Sequence, residues 1–149
     1  MNGAHLHLIT NHLPIVGVII GTLVLMTGFI LKKDQIKQTA LGINIFSAVT
    51  SLFAFFTGGE AEEVVEEMHG ISETLIHIHE EYAELFFSLS LILGAVSIIT
   101  LYLSVKASKC AKHGFIITLA LSFALLFVGK QVGTSGGEIR HSEIRTGNA

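Results

Sequence analysis

Four apolar runs dominate the chain, and short polar connections separate them. The runs cover residues 13–31, 39–57, 82–105 and 114–133. Each approaches the ~20 residues that a helix needs to cross ~30 Å of hydrocarbon. A soluble bundle would carry a polar stripe along every run. The first, third and fourth runs show almost none, and Lys130 near the end of the fourth can reach the headgroups. The pattern predicts an all-α fold: one integral-membrane domain over residues 1–149, built as an up-down bundle of four transmembrane helices. Thr10 or Asn11 is expected to cap the first helix, with Pro14 in its first turn. After Gly59, Ala61, Val64, Val65 and Met68 repeat at i, i+3, i+4, i+7. That spacing predicts a short amphipathic extracytoplasmic helix between the second and third spans, ended by Gly70. Ser72 then caps a helix that runs from Glu73 into the third span.

Charge orients the bundle. Lys32, Lys33 and Lys37 fill the first connection, and Lys106, Lys109 and Lys112 the third. The middle connection, Gly58 to Glu84, carries glutamates but no Lys or Arg. The positive-inside rule places both lysine loops in the cytoplasm and both termini outside, in a multi-pass protein of a bacterial inner membrane. Arg140 and Arg145 oppose this but are outnumbered. No Lys or Arg precedes the first run, so a cleaved signal peptide is not expected. Composition agrees: half of the 149 residues are apolar, 14% are charged, and mean hydropathy is +0.66. The lone Cys110 excludes an intrachain disulfide and covalent haem attachment through C-x-x-C-H. A slightly acidic chain without a basic patch does not bind nucleic acid.

The chemistry lies in the histidines. Of eight, all but His113 fall at the outer end. Intramembrane or rim imidazoles are costly and are common metal ligands. Two features occur twice. His-x-His stands at 5 and 7 and again at 77 and 79. Thr57-Gly58-Gly59-Glu60 is echoed by Thr134-Ser135-Gly136-Gly137-Glu138, both giving Gly-Gly-Glu at the outer end of a helix. Together they suggest a tandem repeat of helix pairs about an axis along the membrane normal. Helical phase separates His77 from His79. His79 shares a stripe with Leu75, Tyr82 and Phe86 and is expected inward, while His77 sides with Glu73, Glu81 and Glu84.

In an up-down bundle the first and third spans are diagonal, about 12–14 Å apart. That gap suits noncovalent haem b held by His12 and His79, with Phe56, Phe86, Gly17 and Gly21 lining the ring. The bland reading of Gly17 and Gly21 is close helix packing. A rival site joins His12 and His79 to Glu60 and Glu138 and would hold iron, copper or zinc. His5, His7, His69 and His141 are further candidate ligands at the same end. The expected function is a b-type cytochrome, an electron carrier rather than a standalone enzyme, working between quinol or a membrane reductase and an outer redox partner protein. The alternatives are a transition-metal-handling membrane protein and a structural subunit of a membrane complex. Beside the lipid bilayer, a homodimer or other complex subunits are expected neighbours.

These residues resemble one family. His5-x6-His12-x-Pro14 is similar to the H-P…H-F-P opening of small bacterial integral-membrane proteins classed as a domain of unknown function. Thr57-Gly58-Gly59-Glu60-Ala61-Glu62-Glu63 resembles their T-G-x-x-A-E-E segment, and His79-Glu80 their following H-E. No proline follows His5, and His5 lies farther upstream than the family's first histidine. The resemblance implies a four-helix membrane fold and importance for His12, Glu60 and His79, and it brings no activity with it.

Overall fold

The computed structural model describes residues 3–68 and 71–145, and these form helices. Helix α1 covers Gly3–Thr10, α2 His12–Ile30, α3 Asp34–Glu66, α4 Glu73–Val105 and α5 Ala111–Arg140, followed by a 3-10 turn at Ser142–Ile144. Helices α2 to α5 form an antiparallel ring in chain order. The α2–α3, α3–α4 and α4–α5 seams are extensive, and the closing α2–α5 seam is the lightest. Helices α2 and α4 are therefore diagonal, and α1 lies on α3.

All four long helical stretches are apolar and long enough to cross a membrane, yet only 33–39% of each apolar window is buried. Ile20, Leu23, Phe53, Ile98, Ile99 and Phe127 point outward. The fully buried positions include Thr22, Asn44, Ser47, Ser97, Thr118 and Ser122. A soluble bundle would invert this distribution. Small and hydroxyl residues at helix contacts are what an apolar solvent selects, because close backbone approach replaces the hydrophobic drive. Gly17 rests on Ser47, and Gly21 accommodates the Asn44 side chain. Hydroxyl bonds tie the seams. Ser47 donates to the Pro14 carbonyl (2.5 Å), Ser90 to Ser51 (2.7 Å), and Gln38 to Ser104 (2.9 Å).

Two element boundaries differ from the sequence expectation. The chain is already helical at Gly3, so neither Thr10 nor Asn11 caps a first helix. Asn11 has helical φ and ψ and only interrupts the α1–α2 run. Pro14 explains the interruption, since it has no N–H for the Thr10 carbonyl. Residues 61–66, expected as a separate short amphipathic helix, continue α3 instead. Gly58 and Gly59 weaken a helix without ending it. At 33 residues, α3 and α4 are each about 50 Å long. Both overrun ~30 Å of hydrocarbon, and their apolar runs place the excess at the histidine end. Gly70 and His69 lie outside the described residues.

The two lysine connections are built alike. After α2, the Lys33 N–H reaches the Gly28 carbonyl (3.1 Å); after α4, the Ser108 N–H reaches the Leu103 carbonyl (2.9 Å). Each is a Schellman-type end with a left-handed residue, Lys32 or Ala107, both at φ 52°. Only glycine adopts that conformation without a Cβ penalty. Ala107→Gly is therefore expected to stabilise the protein by about 1 kcal/mol, read as a higher unfolding midpoint in detergent.

Candidate functional site at the histidine end

The repeat seen in the sequence is a repeat of contacts. In the first half, the His7 ring on α1 lies against α3, with Nδ1 3.0 Å from the Ala54 carbonyl and 3.4 Å from Thr57 Oγ1. In the second half, the His79 ring on α4 lies against α5, with Nδ1 3.1 Å from Ser135 Oγ. Thr57 Oγ1 donates to Phe53 O at 2.8 Å, with Ala54 O at 3.2 Å, and Ser135 Oγ donates to Val132 O at 3.2 Å. The Val132 carbonyl is also a partner of the His79 ring. Each hydroxyl stands one residue before a Gly-Gly pair, and each carbonyl stands three residues before the hydroxyl. The first glycine of each pair lies against the ring: a methyl on Gly58 would make an ordinary contact at 3.6 Å from His7 Cε1, whereas one on Gly136 would crowd His79 Cε1 at 3.0 Å.

These bonds set the tautomers. A carbonyl only accepts, so His7 must carry its proton on Nδ1. The Ser135 hydroxyl already donates to Val132, so it accepts from His79 Nδ1. In both rings Nε2 then holds the lone pair, the form in which imidazole binds a metal. The two rings are close enough to repel each other when protonated. Both are half-buried, whereas His5 and His77, the first histidine of each His-x-His, are exposed. His77 sits 3.6 Å from Glu81.

The other sequence candidates are placed as follows. His12 is exposed, bonded through Nδ1 to the Asn11 side chain, and near enough to His7 to repel it. Phe86 is in the core, packed over Gly129 with Val18, Leu93, Leu125 and Val128. Phe56 is 71% exposed. Phe55 stacks on Phe87 at 4.2 Å and joins α3 to α4 near this depth. Gly17 and Gly21 are closed over by α3. Glu60 is exposed, and α1 crosses it at Gly3. Glu138 is half-buried, with its backbone carbonyl bound by Arg145 Nε at 2.8 Å. His141 is exposed, 2.9 Å from Glu143. His69 lies outside the described residues. Among the described residues, no three His, Cys, Asp or Glu side chains converge as a bare metal ion requires.

At the same end, Glu62 of α3 meets Glu80 of α4, the residue after His79. Glu62 lies beyond the apolar run of its helix. Lost hydration, then the hydrogen bond with Glu80 and repulsion from Glu80, Glu66 and Glu63, push its carboxyl up to about 7. The folded value is above the unfolded one, so this contact stabilises the fold fully at acid pH, below the unfolded value. The contribution is lost as pH rises through about 7. Glu62→Gln is expected to flatten this part of the pH dependence. Melting midpoints of the two proteins, compared between acid and mildly alkaline buffer, check it.

No protein-family model matches the chain, and no curated protein or solved structure matches it either.

Proposed function

We propose that this is a membrane-embedded b-type cytochrome in which His7 and His79 would hold noncovalent haem at the outer face. The observation that carries the reading is the repeated cradle: two imidazoles in equivalent places, each held at Nδ1 by the neighbouring helix with Nε2 left for iron. His79 keeps the role expected of it, and His7 replaces the exposed His12 as its partner. The donor set favours haem over a bare ion. Two imidazoles are too few for zinc or copper, which take three or four protein ligands. A porphyrin brings four nitrogens of its own and needs only an axial pair. The packed core beneath, from Phe86 to Val18, leaves no space for a ring deep between α2 and α4, which favours a site at the rim. The two halves meet most lightly along α2 and α5, so a planar group between them displaces the least packing.

When bound, haem supplies a one-electron couple. This chain's residues do the rest. The Ala54 and Val132 carbonyls, with Thr57 and Ser135, hold the two rings in orientation and raise their basicity. Lysines at the opposite end set the orientation, with the histidine end outside the bacterial inner membrane. Glutamates at the outer end attract a basic redox partner. Quinol or a membrane reductase supplies the electron. The test is haem content of the protein purified from haem-replete membranes. The reading expects about one haem per chain from the pyridine haemochrome and a Soret band that sharpens on reduction. A colourless protein that also fails to take up added haemin overturns it.

A further inference from the structure

The lysine end holds a cavity of about 470 Å³ between the α2–α3 and α4–α5 connections. Its polar wall is Asp34, Lys37, Lys109, Lys112, Ser104 and Ser108, and its apolar wall includes Phe29 and Phe115. We infer that this cavity binds a phosphate group, carried by an anionic phospholipid or by a soluble phosphate compound.

Lys37 makes the cavity more than a patch of surface charge. Its side chain is only 15% exposed, and its ammonium lies 5.1 Å from the ring centroids of both Phe29 and Phe115. Two aromatic faces and one carboxylate, Asp34 at 2.8 Å, hold the cation in place. Asp34 is itself largely exposed. Three lysines against one aspartate leave the lining positive.

The two serines point to the same ligand. Ser104 Oγ accepts from Gln38, and Ser108 Oγ accepts from the Cys110 N–H. Among the described residues neither hydroxyl donates a hydrogen bond, so both remain to donate. The positive end of α5 opens at Ala111, which also lines the cavity. The lining therefore offers three ammonium groups, two hydroxyls and a helix N-terminus to an anion, against the single Asp34 carboxylate among its charged acceptors. The phenyl walls lie where the apolar runs end, the depth at which a phospholipid carries its phosphate below water and above its chains. This assignment uses the bilayer reading and does not depend on haem.

Native mass spectrometry of the full chain in detergent tests it. The probes are phosphatidylglycerol, phosphatidylcholine and inorganic phosphate. Phosphatidylglycerol is expected to bind at least about tenfold more tightly than phosphatidylcholine. Lys109→Gln/Lys112→Gln, at two exposed positions, should remove that preference, and so should Lys37→Met, which keeps the packing between the rings. Lys130→Gln, at the other end of the bundle, should not. If millimolar phosphate displaces phosphatidylglycerol, the site takes soluble phosphate compounds; if it does not, the lipid is the ligand. Equal binding of the two lipids with no phosphate adduct overturns the inference. A phosphatidylglycerol preference that survives both lysine variants also overturns it.

Discussion

His7→Ala and His79→Ala are each expected to empty the protein of haem, while His12→Ala and His77→Ala keep it. The arithmetic is direct. A haem held by two imidazoles and no covalent bond loses half its protein ligands in either of the first two variants. Removing only a ligand's hydrogen-bond partner costs roughly 10–100-fold in metal affinity. Ser135→Ala and Thr57→Ala should fall in that range, and loss of the ring itself should exceed it. The repeat sharpens the comparison, because the two halves make equivalent contacts. Ser135→Ala should weaken haem more than Thr57→Ala. Each ring keeps a carbonyl, Val132 or Ala54, but Ser135 Oγ lies 3.1 Å from His79 Nδ1, whereas Thr57 Oγ1 lies 3.4 Å from His7 Nδ1. Haemin titration of the purified variants, followed in the Soret region, reads all six. Equal haem retention in His7→Ala and His12→Ala would return the axial role to neither.

Gly21→Leu is expected to be the most damaging substitution away from the site. A Cβ at Gly21 would collide with Oδ1 of Asn44, a side chain with 0% exposure and no room to swing. Leucine there would wedge α2 from α3 along the seam that Ser47 and Pro14 close. Overpacking of this kind typically costs about 1–3 kcal/mol and more where backbone must shift. Gly21→Ala should show a smaller version of the same loss. The Asn44→Ala background should absorb most of it, since the atom in the way is then gone. Unfolding in mixed micelles, run as a double-mutant cycle, measures the coupling. Asn44 has an independent interest: among the described residues, neither its amide nitrogen nor its oxygen has a hydrogen-bond partner. Alanine there removes an unsatisfied group as well as a clash, and such a group costs about 1–3 kcal/mol when buried.

The long helices were legible because hydrophobic length is a blunt signal. Nothing but a helix satisfies twenty apolar residues, and Lys32–Lys33 and Lys106–Lys112 separate them cleanly. The end of α3 was not. Ala61, Val64, Val65 and Met68 have the spacing of an amphipathic helix, but periodicity does not say whether such a helix is new or a continuation. Gly58-Gly59 reads as a break, and here it is a helical surface on which a histidine lies. Thr10 and Asn11 misled in the opposite sense, as capping residues inside a helix that Pro14 merely interrupts.

At the histidine end the two halves of the repeat were visible as His-x-His and as a hydroxyl before Gly-Gly-Glu. What stayed hidden was that each motif is the other's binding partner. His12 drew attention because it precedes the first apolar run, and proximity to a span stood in for direction. Superposing the two halves residue by residue pairs His7 with His79 and Thr57 with Ser135, and that signal was present in the chain. The seat of Glu62 on Glu80 was not recoverable, since it depends on how far α3 and α4 overrun their apolar parts.

The central claim is a symmetric pair of axial imidazoles, and electron paramagnetic resonance of the oxidised, haem-loaded protein tests it most directly. Two neutral nitrogen ligands of equal strength predict a purely low-spin ferric signal, lost in His7→Ala and in His79→Ala alike. A high-spin signal in the unmodified protein, or a low-spin signal that survives either substitution, would contradict it.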